Sequence, residues 1–234
     1  MQIIITDLTR FSNPDIVCIA GINLETNKCI RPLPYITLKK CKELNILPGS
    51  KLDGIFSDNS DRGLPHIEDK NYQNLKSLGA CSDDEFHQVL QNTVSQSISK
   101  GFDYTFQEGG KVIPYTNPPL KSIITLKINA NQIRIVKDSF NHGKIKLNFK
   151  DNDGKKFSYL PITDLGFYNY TMKHFDDFDF PKKINSYLDS QDELYLRVGL
   201  SGRYKSGDDR DGYWLQINGI YTFPNYNTEI RSYG

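Results

Sequence analysis

Lys144-Ile145-Lys146-Leu147-Asn148-Phe149-Lys150-Asp151-Asn152-Asp153-Gly154-Lys155-Lys156-Phe157-Ser158-Tyr159-Leu160 is the stretch that decides the fold class. Apolar and polar side chains alternate with period two on both sides of 151–154, as in two half-buried strands. Asn, Asp and Gly tolerate the positive φ angles of a tight reversal, so the stretch reads as a long antiparallel hairpin. Ile145, Leu147, Phe149, Phe157 and Tyr159 fall on one face. Lys144, Lys146, Lys150 and Lys156 fall on the other.

The rest of the chain carries more strands than helices. Ile3 to Leu8 and Ile16 to Leu24 read as strands, the second apolar on both faces and therefore central. Cys29-Ile30-Arg31 returns after a turn and stops at Pro32 and Pro34, which cannot donate ladder hydrogen bonds. Lys51 to Phe56, Ser122 to Ile128, Gln132 to Val136, Leu194 to Leu200 and Tyr213 to Phe223 complete the set, with short helices expected over 164–193. Ser82 followed by Glu85 makes a capping box; Phe86, Val89, Leu90, Val94 and Ile98 recur at helical spacing before Gly101, predicting one helix over Ser82 to Lys100. The expected architecture is mostly β, with residues 1–110 forming a first barrel that carries a helical insertion at about 66–101, and residues 111–234 forming a second.

Composition excludes several classes. At 234 residues and 38% hydrophobic, the chain can bury a core, yet no apolar run reaches the roughly 20 residues of a membrane span. No secretory leader pattern follows Met1, and Cys18, Cys29, Cys41 and Cys81 form no C-x-x-C pair, so a reducing cytoplasmic setting is expected. The net charge of +1 hides an uneven distribution: residues 111–156 hold ten basic side chains against Asp138, Asp151 and Asp153. Grouped cations attract phosphate through counterion release, so Lys144, Lys146, Lys150 and Lys156 form a candidate phosphate patch. Lysines that merely solvate an exposed sheet face give the same pattern.

The end of the chain suggests a binding site. Trp214, Gln216 and Asn218 share one face of a strand, Arg197 projects from its neighbour, and the loop 201–212 between them holds Arg203, Tyr204, Lys205 and Arg210. Aromatic planes and guanidinium groups stack on bases while amides read base edges, which suits single-stranded DNA or RNA, or a nucleotide. Alternatively Trp214 packs in a second core with Tyr221 and Phe223, and Asp208, Asp209 and Asp211 neutralise the loop. Near the N-terminus, Asp7, Thr9, Arg10 and Arg31 form either a second polar cluster or an Asp–Arg pair fixing strand ends.

Catalytic patterns are not visible. Asp151-x-Asp153-Gly154 lacks the distal Glu of a calcium loop, and His66, His87, His142 and His174 show no metalloprotease spacing. No G-x-S-x-G elbow or phosphate loop occurs. Asp176, Asp177 and Asp179 beside His174 are interleaved with Phe175, Phe178 and Phe180, as in an amphipathic stretch. No cofactor and no metal are expected.

Two segments carry a resemblance. They are Ile4-Ile5-Thr6-Asp7-Leu8-Thr9-Arg10 with 17–26 and Cys29-Ile30-Arg31-Pro32, and Leu196-Arg197-Val198-Gly199-Leu200-Ser201 with 213–224. Together they resemble the prokaryotic dual OB-containing domain family. The resemblance implies two OB-like barrels and, by analogy of fold, oligonucleotide or nucleotide binding. One departure is that Gly202-Arg203 stands where the family pattern has Arg-Pro. The expectation is thus a non-catalytic nucleic-acid or nucleotide binding protein. The alternatives are a metal-dependent nuclease using the scattered aspartates, and a protein-interaction module with a protein partner.

Overall fold

The computed structural model describes residues 1–61, 63–139, 141 and 143–233; His142 lies outside them. The first barrel is built from β1 (Gln2–Arg10), β2 (Ile16–Asn23), β3 (Cys29–Leu33), the short β4 (Ile36–Thr37), α1 (Leu38–Glu43), β5 (Ser50–Asp58) and β6 (Asp69–Ala80). β1 pairs antiparallel with both β2 and β5, β2 with β3, and β5 with β6. The parallel pair β3–β6 closes a ring of five strands. That is the Greek-key path of an OB barrel, with α1 between its third and fourth strands. Ile3 and Ile5 fill the interior with Val17, Ile19 and Leu52, while Ile4 points outward and is still fully buried. Val89 packs on Ile4 and on Ile22 of β2, and this cover explains why the run Ile16 to Leu24 is apolar on both faces. Gly21 permits this closure, since a Cβ there would lie 2.6 Å from the Ile4 carbonyl oxygen.

Next in the chain are α2 (Asp83–Gln91), β7 (Val94–Ser95), α3 (Ile98–Phe102) and β8 (Val112–Pro114). The Ser82–Glu85 capping box forms, but the expected single helix breaks after Gln91. The Thr93 hydroxyl donates to the carbonyls of Val89 and Leu90, β7 pairs with a strand of the second barrel, and Ser97 caps a new helix. Val94, expected to be docked, is therefore 40% exposed. Residues 69–80, read from sequence as part of the helical insertion, instead form β6. α2 is a wedge: Val89 packs on Ile4 and Ile22 of the first barrel, and Leu90 on Tyr195 and Tyr221 of the second.

The second barrel comprises β9 (Ile123–Ile128), β10 (Ile133–Lys137), β11 (Ile145–Lys150), β12 (Lys156–Pro161), α4 (Leu165–Lys173), α5 (Lys182–Asp189), β13 (Glu193–Leu200), β14 (Tyr204–Lys205) and β15 (Asp211–Phe223). A 3-10 turn at Ala130–Gln132 divides one long first strand into β9, paired with β13, and β10, paired with β11. β11 pairs with β12, β13 with β15, and a parallel bridge from Ile162 to Ile217 joins third strand to fifth. The path of the first barrel is thus repeated.

The deciding hairpin is β11–β12. Ile145, Leu147, Phe149 and Phe157 are buried as expected. Tyr159 is not: a register shift places it at φ 57°, with its N–H donating to Asn148 Oδ1 at 2.6 Å, and Leu160 takes the core position opposite Leu147. Asp151 in the turn is 1% exposed; it accepts from the N–H groups of Asp153, Lys155 and Ile98, anchoring α3 to the hairpin.

Candidate nucleic-acid interface

Arg197 does not reach the end of the sheet. It is fully buried between the barrels, donating Nε to Asp7 Oδ2 at 2.9 Å, Nη1 to Thr125 Oγ1 at 2.8 Å and Nη2 to Cys29 Sγ at 3.4 Å. Burial works against its charge, but the Asp7 carboxylate and Cys29 outweigh that cost and hold the guanidinium above its ordinary pKa. Asn218 is also buried; it sits at the β13–β15 bulge, covers Gly199 and accepts from the Thr163 hydroxyl at 3.0 Å. The five-residue pocket of Arg197, Arg203, Trp214, Gln216 and Asn218 is therefore not assembled. Alternation along a strand tells which face a side chain takes, but not whether another barrel covers that face.

The remaining members converge on one exposed hairpin. β14 pairs with β15 through Tyr204–Gly212 and Lys205–Asp211, forming an apron beyond the barrel. Trp214 donates its indole N–H to the Tyr204 carbonyl at 3.1 Å, and the two rings meet edge-on at 6.3 Å. The Arg210 guanidinium lies 4.7 Å over the indole ring, and Arg203 lies 3.5 Å over Tyr115. Trp214 joins none of the hydrophobic clusters; Tyr221 and Phe223 pack instead with Leu90 and Tyr195. Gln216 is half-buried, one pleat beyond Trp214. Tyr204 is 61% exposed.

Each cation of this loop has an aspartate: Arg203 pairs with Asp211 at 2.7 Å, Lys205 with Asp209 at 2.9 Å and Arg210 with Asp208 at 2.6 Å. Such exposed pairs are screened by solvent and hold weakly, so a phosphate can displace the carboxylates at little cost. Lys111 stands beside them, its carbonyl accepting from the Leu215 N–H at 2.9 Å. Burial, and then the charges of Lys146 and Arg210, hold its ammonium below the ordinary pKa. Lys146 reaches Asp138 at 3.7 Å, while Lys144, Lys150 and Lys156 lie exposed along the β11–β12 hairpin.

The N-terminal arginines are structural. Arg31 is bonded to buried Asp69 and so clamps the parallel β3–β6 closure; Arg10 stacks 3.9 Å over Tyr168. Neither joins the hairpin. His174 lies between Asp177, at 2.7 Å, and Glu229, at 3.1 Å. Among the described residues no three His, Cys, Asp or Glu side chains are grouped to hold a metal ion. No helix among them is long and apolar enough to cross a membrane. Sequence reading missed Lys111 and Tyr115, which β8 brings beside β15 from a segment that reads as a connector, and His66, whose ring meets Tyr213 edge-on at 5.8 Å.

In OB barrels the face of the second and third strands, with the loops joining first to second and fourth to fifth strands, contacts ligands. In the second barrel these include β11, β12 and the loop of β14, so the Trp214 hairpin and the lysines of β11 and β12 lie on that side. No curated protein and no solved structure matches the chain. The family described as Dual OB-containing domain matches residues 1–220, and with two five-stranded Greek-key barrels in place the chain belongs to the dual OB-containing domain family.

Proposed function

We propose that this protein binds single-stranded DNA or RNA through the second barrel, with Trp214 and Tyr204 offering ring surfaces and Arg203, Arg210, Lys111 and Lys146 meeting phosphates. The carrying observation is the stack of Arg210, in the loop joining fourth and fifth strands, on Trp214, beside Lys111. Base stacking on aromatic side chains tolerates any sequence, and a basic groove tracks the backbone. The reading is one of binding rather than of chemistry, and the four free thiols fit a reducing cytoplasm.

Anisotropy of labelled oligonucleotides of about 16 nucleotides, the upper end of an OB-fold site, tests it across a salt series. Affinity that falls steeply with salt, and less steeply in Lys111→Glu/Lys146→Glu, is expected. Absence of binding to any single strand, or salt-insensitive binding, contradicts it; the latter with a protein ligand points to an interaction module.

A further inference from the structure

Trp214, Ser201 and Lys121 stand in one row across the sheet of the second barrel. The Ser201 N–H donates to the Trp214 carbonyl at 2.9 Å, and the Trp214 N–H donates to Ser201 Oγ at 3.0 Å. On the other side of β13, Gly199 pairs with Ile123 and the Leu200 N–H donates to the Ser122 carbonyl at 2.8 Å, which carries the register on to Lys121 beside Ser201. Residues opposite one another in antiparallel strands project from the same face, and neighbouring strands are about 4.8 Å apart. Lys121 therefore stands about 10 Å from Trp214 on the face that Trp214 occupies.

Lys121 is exposed at the rim of a cleft between the barrels, and Lys28, Lys70 and Ile67 of the first barrel line the same cleft. Its floor is filled by the buried Arg197 and Thr125, so only the rim is open to a ligand. On that rim Ile67 is 50% exposed, and Lys70 is paired with Asp58. Neither Lys28 nor Lys121 has a carboxylate partner among the described residues. The nearby Glu68 carboxylate is occupied by the N–H and O–H of Ser122 and the N–H of Ile123.

We infer that a single strand stacked on Trp214 crosses the seam between the barrels, its phosphates passing Lys121 and then Lys28 of the first barrel. This rests on the reading of the Trp214 hairpin as a nucleic-acid interface and extends that interface onto the other barrel. A strand laid across the sheet meets a ring first and an unpaired cation two strand spacings further on. The second unpaired cation faces it from across the cleft, and grouped cations of this kind draw a polyanion by releasing its counterions. Exposed Ile67 on the same rim offers an apolar surface to a base.

Anisotropy with labelled oligothymidylates of about 4 and about 16 nucleotides, the two ends of the OB-fold site range, tests this across a salt series. Lys28→Gln changes one exposed side chain of the first barrel. It is expected to lower the log–log salt slope of the longer strand by about 0.7–1 and to leave the shorter strand at the wild-type slope. Lys28→Gln/Lys121→Gln should lower the longer strand's slope by about twice as much. A wild-type slope for the longer strand in Lys28→Gln, or equal changes at both lengths, overturns the inference. If Trp214→Ala still weakens both lengths in that case, the strand stays on the second barrel and the reading of the hairpin stands. Wild-type protein that binds neither length overturns both.

Discussion

The Asp7 carboxylate and the Arg197 guanidinium, 190 residues apart in sequence, meet at 2.8 Å with each side chain 1% exposed. One comes from β1 of the first barrel and the other from β13 of the second, so the pair ties the barrels together. The Thr6 hydroxyl donates to Asp7 Oδ2 at 2.7 Å, and Tyr221 of β15 donates to the Thr6 carbonyl. Both segments that carry the family resemblance therefore end in one buried polar contact, which is a structural reason for their residue types.

Breaking this pair should be costly. Arg197→Ala leaves the Asp7 charge buried without compensation, and a loss of about 3–5 kcal/mol is expected by urea denaturation. Asp7→Asn combined with Arg197→Met should lose less than the two single changes added together, because each single variant strands one partner. Additive losses would show that the two side chains are not coupled.

The wedge helix makes a contrasting prediction along one helical stretch of sequence. Leu90→Ala should cost about 2–5 kcal/mol, because the side chain is enclosed by Tyr195 and Tyr221. Val94→Ala, at an exposed position after the helix break, should stay within about 0.5 kcal/mol. Similar losses at both sites would mean that the stretch docks as one continuous helix.

Acid sensitivity should localise to Glu193. Hydrogen bonds from Lys127, Tyr195 and His87 hold its carboxyl down from 4.5 to about 2. A carboxyl with a depressed folded-state pKa adds stability that is fully present above pH 4.5 and lost as pH falls toward about 2. Glu193→Gln should accordingly lower the thermal midpoint at neutral pH and flatten its decline across that window. A parallel decline in variant and wild type would assign the acid sensitivity elsewhere.

Much of this fold is legible in the sequence because local rules dominate it. The β11–β12 hairpin follows from period-two alternation around Asp-Gly, and the start of α2 from the Ser82–Glu85 box. Tyr159 and Val94 escape such rules: a bulge and a helix break each shift the pattern by a residue or more, and neither leaves a compositional mark. The site is half legible. Arg203, Tyr204, Lys205, Arg210 and Trp214 lie in one hairpin, so their proximity is local. Arg197, Asn218, Arg10 and Arg31 lie on faces that tertiary packing covers, and Lys111 and Tyr115 arrive through β8, whose pairing with the distant β15 periodicity cannot reveal.

Lysine contributions should emerge as salt dependence. Removing a single lysine–phosphate interaction should lower the log–log salt slope by about 1, so Lys146→Glu should flatten it whichever base is bound. Lys144→Glu tests whether the patch extends along the exposed hairpin. An unchanged slope in Lys144→Glu/Lys146→Glu would remove this face from the interface.

Trp214 is the only tryptophan in the chain, so its intrinsic fluorescence reports on the proposed interface without a label. Titration with oligothymidylate or oligouridylate should quench that emission in a saturable, salt-sensitive manner. Trp214→Ala should lose about 1–3 kcal/mol of affinity by anisotropy while its unfolding midpoint stays near that of wild type, because stacking energy belongs to the complex. Emission that does not respond to any single strand, or a Trp214→Ala protein that unfolds early yet binds with unchanged affinity when folded, would contradict nucleic-acid binding at this hairpin.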